Sequence, residues 1–437
     1  MQNIKVFKFG GTSVGLPERM HKVANIINTQ EKKIVVLSAI SGTTNALIEI
    51  RNEEDTSKAL EKINTLKDTH INFAFKLLNS QNLIDEANTY IEERFKQIEQ
   101  IKKAPINQEE ENIIFAQGEL LSTKLFHLYL REIGIKAKLV SALECIKLND
   151  QSLPDKDFIK SKLTSLLNKE TETTVFITQG FICIDSNNKI STLQRGGSDY
   201  SASIIGAAVS ASIIEIWTDI DGMHNNDPRC IKNTYSIKQL SFDEAAELAY
   251  FGAKVLHPQC IFPAQEANIP VKILSTIEST AEGTLINNEH SAGVIKAIAA
   301  KDNITLINIH SIRMLMAYGF LKKVFEVFDL YKTSIDIITT SEVTITISID
   351  DTTYLEDITK ELKKIATVEF SYNNSIICIV GDLILENRMV PVKVLKSLRD
   401  VPLRIISYGA SPNNISIVIK SEHKQKVLER LHNNLFN

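Results

Sequence analysis

Short hydrophobic runs recur along the first 275 residues, and most of them are followed by glycine or small polar residues. They occupy residues 4–9, 34–37, 137–140, 174–177, 213–217 and 271–274. Residues 34–37 are an unbroken apolar run, which is typical of a strand buried in a parallel sheet, and the other runs have the length of short strands. Between them, apolar residues recur at helical spacing, as in Met20, Val23, Ala24 and Ile27 after Pro17. The alternation predicts an α/β fold with an open, mainly parallel sheet and helices on both faces.

Two stretches of this region lack strand signals and are predicted to be helical. Residues 46–104 are rich in Glu, Lys and Asn with helical periodicity, which indicates a solvated helical excursion from the sheet. Residues 200–214 carry no charge and many small side chains, which favours a buried helix packed against the sheet. Gln117-Gly118-Glu119 is expected to open a further helix, and Ser241 with Glu244 forms a capping box for another.

The pattern changes beyond residue 275, which predicts a second domain. Residues 276–293 contain several Gly and Asn residues and are interpreted as a linker. A strand–helix–strand–strand–helix order then occurs twice, first over about 302–373 and again over about 374–437. The second copy lacks its final strand, and residues 294–301 are the natural segment to complete it. The prediction is a domain over 1–275 followed by two α+β, ferredoxin-like modules over 294–437.

Composition excludes several classes of protein. With 49 basic and 53 acidic residues the formal charge is −4, and no long run of either sign suggests a nucleic-acid or membrane partner. The five cysteines are scattered without a C-x-x-C pair, as expected for reduced thiols in the cytosol. The chain begins directly with strand sequence, and its longest uncharged stretch is too short to cross a bilayer. We therefore predict a soluble, cytoplasmic protein.

Two glycine turns suggest a site for anions. The first strand ends at Gly10-Gly11 before a helix, and a backbone that approaches closely can present its amides to a phosphate. Lys8 precedes this turn and adds a mobile positive charge. The second turn, Gly196-Gly197, is flanked by Arg195 and Asp199. An arginine can hold a carboxylate through two parallel hydrogen bonds.

Several motifs together resemble the aspartate kinases of the amino-acid-kinase superfamily. They are Lys8-Phe9-Gly10-Gly11-Thr12-Ser13, residues 38–45, Gly118-Glu119-Leu120-Leu121-Ser122-Thr123, Arg195-Gly196-Gly197-Ser198-Asp199, Thr218-Asp219 through Arg229, and Phe251-Gly252-Ala253-Lys254-Val255-Leu256-His257-Pro258. The later repeat resembles a tandem pair of ACT domains, which are small-molecule sensors.

The resemblance implies an enzyme that uses ATP to phosphorylate the side-chain carboxylate of L-aspartate. A carboxylate acceptor is already ionised at neutral pH, so the reaction needs positioning and charge neutralisation more than a general base. It implies catalytic roles for Lys8, Arg195 and Asp199, with Arg195 on the α-carboxylate and Glu119 on the α-ammonium of the substrate. Further substrate contacts are implied for Ser38, Thr44, Phe181, Ser198 and Asp199. Nucleotide contacts are implied for Lys8, Gly10, Gly11, Ser13, Thr218, Asp219, His224, Asp227, Arg229 and Lys254. Mg²⁺ is expected to be held mainly by the nucleotide phosphates, without a metal site of the protein's own.

The first sensor module has features expected of an effector site. Amides at a helix start near Gly319 can hold a carboxylate, and Asp336 with Glu342 can hold ammonium groups. Two acidic groups suit a diamino acid, and the resemblance predicts L-lysine as feedback inhibitor, with threonine as the alternative because Ala317 replaces a usual serine. The predicted effector contacts are Met314, Tyr318, Gly319, Phe320, Leu321, Ile335, Asp336, Thr340, Ser341 and Glu342. Paired modules would make the protein a homodimer or tetramer.

Two alternative functions are considered, and the sequence departs from the family pattern at two places. The alternatives are a glutamate or acetylglutamate kinase of the same fold and a non-catalytic amino-acid sensor. The tandem modules argue against the first, and Lys8 together with Arg195 argues against the second. His224-Asn225 stands where many members have Tyr-Thr, which affects the expected contact to adenine, and Cys183 replaces a usual glycine.

Overall fold

The structure is a computed structural model that describes residues 4–193, 196–252, 256, 258–290, 293–314, 318–382 and 384–436. The chain divides into two units. The first comprises residues 1–223, 236–242 and 255–289, and the second comprises residues 224–235, 243–254 and 290–437. Two segments that the sequence pattern assigns to the first domain thus group with the later part of the chain. The boundaries predicted at residues 275 and 294 stay a prediction.

An eight-stranded sheet forms the centre of the first unit. Its strands, with the short hairpin β5–β6, are β1 (Lys5–Phe9), β2 (Lys33–Leu37), β3 (Ala137–Val140), β4 (Val175–Gln179), β5 (Ile182–Ile184), β6 (Ile190–Thr192), β7 (Ile213–Thr218), β8 (Gln239–Ser241), β9 (Val271–Ser275) and β10 (Thr284–Asn287). The order is β3-β4-β2-β1-β7-β9-β10-β8, and only the β9–β10 pair is antiparallel. The predicted open, mainly parallel sheet is confirmed.

Helices cover both faces of this sheet. In chain order, the helices as far as residue 266 are α1 (Pro17–Ile27), α2 (Thr43–Asn52), α3 (Thr56–Leu77), α4 (Gln81–Ile101), α5 (Gln108–Glu132), α6 (Ala142–Cys145), α7 (Lys156–Lys169), α8 (Gly197–Val209), α9 (Phe242–Phe251) and α10 (Pro258–Glu266). Apart from its first residue, α9 belongs to the second unit. Phe7 and Phe9 of β1 join a core with the apolar faces of α1–α5. The small-residue helix α8 packs through Gly206 against Ile214.

Helix α5 begins nine residues before the predicted start. Asn107 accepts a hydrogen bond from the Glu110 backbone amide at 3.0 Å, and the Glu110 side chain accepts one from the Asn107 amide at 2.9 Å. This capping box starts the helix at Gln108. The prediction that Gln117 opens a helix is therefore wrong, and Glu119 lies in the middle of α5.

The fully buried Lys33 is the first residue of β2, whose other residues are apolar. Its ammonium donates to the Ile27 and Thr29 carbonyl oxygens at 2.9 Å each and to the Thr29 hydroxyl at 2.7 Å. Burial lowers the pKa of this ammonium to about 8. Lys33 thus satisfies the carbonyl groups where α1 ends, and it joins that helix to the sheet.

A six-stranded antiparallel sheet forms the second unit. Its strands are β11 (Val294–His310), β12 (Ile337–Thr340), β13 (Thr344–Ile349), β14 (Thr367–Asp382), β15 (Leu403–Tyr408) and β16 (Asn414–Lys420), in the order β12-β13-β11-β14-β16-β15. Its further helices are α11 (Phe320–Leu330), α12 (Leu355–Lys363), α13 (Met389–Ser397) and α14 (Lys424–Phe436). Two cores form, one around Val324, Phe328 and Ile347 and one around Ile377 and Val394. The predicted pair of ferredoxin-like modules is confirmed as an architecture.

The two modules share long strands, which the sequence pattern does not predict. Val294 to Lys301 pairs with Ile376 to Asp382, and the rest of β11 pairs with the first half of β14. The separate strands expected around 295–300 and 305–309 are therefore one strand, as are those around 368–372 and 376–380. Asn303 (φ +61°) and Asn373 (φ +57°) adopt the left-handed conformation at these junctions. Asparagine tolerates it, so the strands bend there without ending.

In the part of the chain that the structure describes, no helix combines the length and the apolar character needed to span a bilayer.

Candidate functional site

The carboxyl ends of four adjacent strands in the first unit lie in register at one sheet edge. The Gly10 amide donates to the Trp217 carbonyl at 3.3 Å, and the Ser38 amide donates to the Phe9 carbonyl at 3.2 Å. The Gly180 amide donates to the Leu37 carbonyl at 2.9 Å. These bonds bring together the loops that follow β1, β2, β4 and β7, where open α/β sheets bind their ligands.

Lys8 and Asp199 form an ion pair at this edge. The Lys8 ammonium lies 2.7 Å from a carboxylate oxygen of Asp199 in the first turn of α8. Only 9% of Lys8 is exposed. The position of a Cβ atom on Gly10 would lie 3.4 Å from Nζ of Lys8, so the ammonium lies beside the glycine turn. The two predicted catalytic residues that the structure describes are therefore in direct contact.

Ser13 connects the glycine loop to the ends of β7 and β9. Its hydroxyl is fully buried, donates to the Trp217 carbonyl at 3.3 Å and lies 3.1 Å from the Thr276 hydroxyl. The Thr276 hydroxyl donates to the Thr218 carbonyl at 2.9 Å. Among the predicted nucleotide contacts, Gly10, Ser13 and Thr218 thus belong to one network. Thr276 was not predicted, since it directly follows β9 and belongs to none of the motifs.

Ser38 and Ser198 are joined directly, their hydroxyl oxygens 2.9 Å apart. The close approach depends on Gly180, because a Cβ atom there would lie 2.7 Å from Cα of Ser198. The next residue, Phe181, has a left-handed backbone (φ +62°), and its amide donates to the Ser201 hydroxyl at 2.8 Å. The end of β4 and the start of α8 therefore form one wall of the site.

Glu119 is the most deeply buried acidic group of this site, with 4% of the residue exposed. One carboxyl oxygen accepts a hydrogen bond from the Ala39 amide at 3.2 Å. The other has no hydrogen-bond partner among the described residues. Burial raises the pKa of this carboxyl to about 8, and the Ala39 hydrogen bond only partly opposes the shift. A buried carboxyl with an unused oxygen is suited to receive an ammonium group.

Three further polar residues hold this arrangement in place and were not predicted as site residues. The Ser122 hydroxyl donates to the Ser38 carbonyl at 2.7 Å. The Gln179 amide nitrogen donates to the Thr123 hydroxyl at 2.8 Å, and that hydroxyl donates to the Glu119 carbonyl at the same distance. Ser122 and Thr123 belong to the Glu119 motif, which was the available signal. Their side chains fix the loop after β2, which carries Ser38, relative to the turn of α5 that carries Glu119.

The remaining predicted substrate and nucleotide residues do not all lie in the network described above. Thr44 lies in the first turn of α2, and the Thr218 hydroxyl donates to Asp219 at 3.1 Å. His224, Asp227 and Arg229 belong to the second unit. Arg229 donates to both oxygens of Asp227, and these hydrogen bonds lower the pKa of that carboxyl. Arg195 and Lys254 lie outside the described residues.

Two of the predicted effector residues have partners of their own. The side chain of Asp336 is buried and lies 2.6 Å from the ammonium of Lys301, and it also accepts a hydrogen bond from the Tyr250 hydroxyl at 2.7 Å. The Ser341 hydroxyl accepts from the Thr344 amide at 3.2 Å in the turn between β12 and β13.

The remaining effector residues surround the start of α11 and the β12–β13 hairpin. Gly319 precedes α11 in a left-handed conformation (φ +78°). Tyr318, Leu321, Thr340 and Glu342 are exposed, whereas Phe320, Met314 and Ile335 pack on the first module's core.

No group of three or more His, Cys, Asp or Glu side chains is placed to hold a metal ion within the described ranges. A magnesium ion held by nucleotide phosphates, as the sequence predicts, would need no such group.

Comparison with known proteins identifies relatives of both units. The amino acid kinase family matches residues 3–275, and an ACT domain family matches residues 377–435. The chain is 33% identical to lysine-sensitive aspartokinase 3 of Escherichia coli over 450 residues, covering 100% of both chains. Its structure is similar to that of E. coli aspartokinase III in complex with aspartate and ADP, with a TM-score of 0.87, 33% identity and coverage of 99% and 100%. The complex of that enzyme with lysine and aspartate gives a TM-score of 0.85 at 32% identity, with both chains fully covered.

Proposed function

Because the chain belongs to the amino acid kinase family and, within it, to the aspartokinases, we propose that the strand-end site around Lys8 performs its phosphoryl transfer. The chain is an ATP-dependent aspartate kinase. It transfers the terminal phosphoryl group of ATP to the side-chain carboxylate of L-aspartate, which gives ADP and 4-phospho-L-aspartate. This is the first step towards lysine, threonine and methionine.

The ion pair of Lys8 with Asp199 beside Gly10 is the observation that carries the proposal. Phosphoryl transfer spreads negative charge over the transferring group, and a preorganised cation stabilises that charge. Asp199 holds the Lys8 ammonium at 2.7 Å from its carboxylate in a site where little of either side chain is exposed. We assign the cation to Lys8 and its positioning to Asp199. The amide of Gly11 and the loop that Ser13 fixes supply further donors for the phosphates.

Glu119 supports the assignment of the substrate ammonium. Its unused carboxyl oxygen is buried, and an α-ammonium group would supply the missing donor and favour the ionised carboxyl. Ser38, joined to Ser198 and held by Ser122, lies beside Ala39, whose amide binds Glu119. The family resemblance assigns Arg195 to the substrate α-carboxylate. These groups together would orient aspartate with its side chain free for transfer.

ATP is the phosphoryl donor, and the individual nucleotide contacts are inferred from the motifs. When bound to the nucleotide phosphates, Mg²⁺ would neutralise part of their charge. The roles of Thr218, Asp219, His224, Asp227, Arg229 and Lys254 stay predictions, as does the cytoplasmic location.

A coupled ADP-release assay tests the proposal. Aspartate should support turnover, whereas glutamate and acetylglutamate should support little or none. Lys8→Ala should lose roughly 10²–10³ in kcat, the scale for one preorganised donor, while aspartate and ATP binding survive in part.

Lys5→Ala provides the matched control on the same strand. Lys5 pairs with Glu31 at 2.8 Å and not with a site residue, so its loss should change kcat less than twofold. A Lys8→Ala enzyme with more than half of wild-type turnover would exclude the catalytic role. Equal turnover with glutamate or acetylglutamate would exclude the assigned specificity.

The second unit is proposed to sense lysine. The E. coli relative is lysine-sensitive, and its structure has been determined with lysine. The described effector residues lie at the start of α11 and along the β12–β13 hairpin. Threonine is the alternative effector. The proposed assembly is a homodimer or tetramer through the sensor modules.

A further inference from the structure

Side chains of helix α9 form hydrogen bonds with both sensor modules within the second unit. The Tyr250 hydroxyl donates to Asp336 of the first module at 2.7 Å, and the Ser411 hydroxyl of the second module donates to Glu247 at 2.9 Å. Glu247 and Tyr250 are three residues apart, so they lie on one side of the helix. The α9 sequence belongs to the kinase family match rather than to either module. It is therefore a segment of kinase sequence whose position depends on sensor residues.

Tyr250 is part of a compact charged cluster. The Lys301 ammonium lies 2.6 Å from Asp336 and 2.8 Å from Asp350, and 4.6 Å from the centre of the Tyr250 ring. The Asp336 side chain is 1% exposed. Burial opposes the charge of Lys301, but the hydrogen bonds to both aspartates outweigh it and raise the pKa of this ammonium. Burial and the Asp336 hydrogen bond also raise the pKa of the Tyr250 phenol, so this hydroxyl stays a donor.

The cluster can accept one more cation. Two carboxylates and one ammonium give it an excess negative charge. The second oxygen of Asp336 is buried and has no hydrogen-bond partner among the described residues. A buried acceptor without a donor is costly, and an ammonium group would satisfy both the oxygen and the charge.

We propose that Tyr250 is the residue through which effector binding at Asp336 is transmitted to helix α9. The inference rests on the proposed binding of a lysine ammonium to this carboxylate. A second cation at Asp336 repels the Lys301 ammonium, which retains Asp350 as its partner. Tyr250 contacts both groups, through its ring and through its hydroxyl. Displacement of the Lys301 ammonium moves the Tyr250 ring that lies against it, so the bond between Tyr250 and Asp336 is stronger in the effector-free state and is weakened when the effector binds.

The end of α9 is connected along the chain to Lys254, which is one of the predicted nucleotide contacts and lies outside the described residues. Gly252 follows the helix with a positive φ of +151°, and a Cβ atom there would lie 2.5 Å from the Ala300 carbonyl oxygen. The helix end is thus packed tightly against β11, next to Lys301. Lys254, a predicted nucleotide contact, follows two residues later in the sequence. A shift of α9 would be passed to this segment through the chain itself.

Tyr250→Phe tests the proposal because it keeps the ring and removes the hydroxyl. Inhibition by L-lysine should require roughly three- to tenfold less lysine, since a competing bond to a charged acceptor is lost. Uninhibited kcat and both KM values should stay within twofold of wild type. Glu247→Gln, which weakens the other contact of α9, should change lysine sensitivity in the same direction. Tyr354→Phe, in the same module with its ring packed on Tyr331, is the control and should match wild type.

Calorimetric measurement of lysine binding tests the effector site separately from its coupling to α9 through Tyr250. If the wild-type enzyme binds neither lysine nor threonine and is inhibited by neither, both the effector site and the coupling through Tyr250 are refuted. Wild-type enzyme that is inhibited, with Tyr250→Phe inhibited at the same or a higher concentration, refutes the coupling alone. Lower inhibitory concentrations in Tyr250→Phe, with Tyr354→Phe unchanged, support it.

Discussion

At the scale of single residues, the protonation of Glu119 links substrate binding to pH. Its folded-state pKa of about 8 lies above the ordinary value of 4.5 because the carboxyl is buried. The folded state therefore binds this proton more tightly than the unfolded chain does. The resulting stabilisation of the fold is fully present below about pH 4.5 and is lost as the pH rises through 8. Binding of an ammonium group requires the ionised form, so aspartate binding releases a proton near neutral pH.

We therefore predict that the KM for aspartate falls as the pH rises from 6.5 to 8.5, by roughly three- to thirtyfold. Glu119→Gln should raise this KM up to a hundredfold and flatten its pH dependence, while the KM for ATP changes little. Steady-state kinetics at several pH values measure both effects.

Glu109→Gln is the control on the same helix, because Glu109 is paired with Lys189 at 2.6 Å on the surface. It should keep the wild-type pH profile. If Glu119→Gln instead raised only the KM for ATP, the residues assigned to the aspartate site and to the nucleotide site would have to be exchanged.

At the scale of elements, the contact between the end of β4 and the start of α8 sets the site geometry. Gly180 permits that contact, and Ser198 and Asp199 depend on it for their bonds to Ser38 and Lys8. A side chain at position 180 meets the backbone of Ser198, which cannot move without displacing both bonds.

Gly180→Ala should therefore lower kcat/KM for aspartate by tenfold or more and destabilise the fold by about 1–3 kcal/mol through overpacking. Activity and thermal unfolding measure the two effects separately. Gly206→Ala in α8 is the control, since its Cβ would meet the end of the Ile214 side chain instead of backbone. This variant should change the stability of the fold and keep kcat/KM within twofold of wild type. Equal losses of activity in both variants would show that stability alone explains the effect.

At the scale of the whole molecule, we predict that L-lysine inhibits the enzyme. Effector coupling of about 1–3 kcal/mol corresponds to a 5- to 150-fold change in apparent affinity, which a titration of activity detects. Glu342→Ala should weaken inhibition without changing uninhibited kcat, because this exposed carboxylate is predicted to hold an effector ammonium. Threonine is titrated in parallel as the alternative effector. Wild-type activity that is unchanged at millimolar lysine contradicts the lysine assignment and leaves the kinase assignment intact.

Motifs and apolar periodicity in the sequence predicted the family, the reaction and the architecture of both domains, and these predictions are confirmed. Periodicity of apolar residues follows from local geometry, so it predicts buried parallel strands such as β1 and β2 and the helix α1 that begins at Pro17. The motifs identify candidate residues because six of them occur in order along the chain at the spacing of the family, although any one of them alone could be structural.

Element boundaries were less well determined, because they depend on local bonds and on partners distant in sequence. The capping box at Asn107 moved the start of α5, and left-handed asparagines at 303 and 373 joined strands that the pattern separates. Residue-level roles for the substrate, nucleotide and effector contacts stay predictions.

The pairing of polar groups, and the buried oxygens without a partner among the described residues, follow from how distant elements pack in the fold. This packing joined Lys8 to Asp199 and Ser38 to Ser198, and it placed Lys301 and Tyr250 on Asp336, a residue predicted as free to bind an effector. These partners lie 35 to 191 residues apart in the chain. Hydrogen bonds and ion pairs over such separations follow from the packing of whole elements, which no periodicity along the sequence encodes.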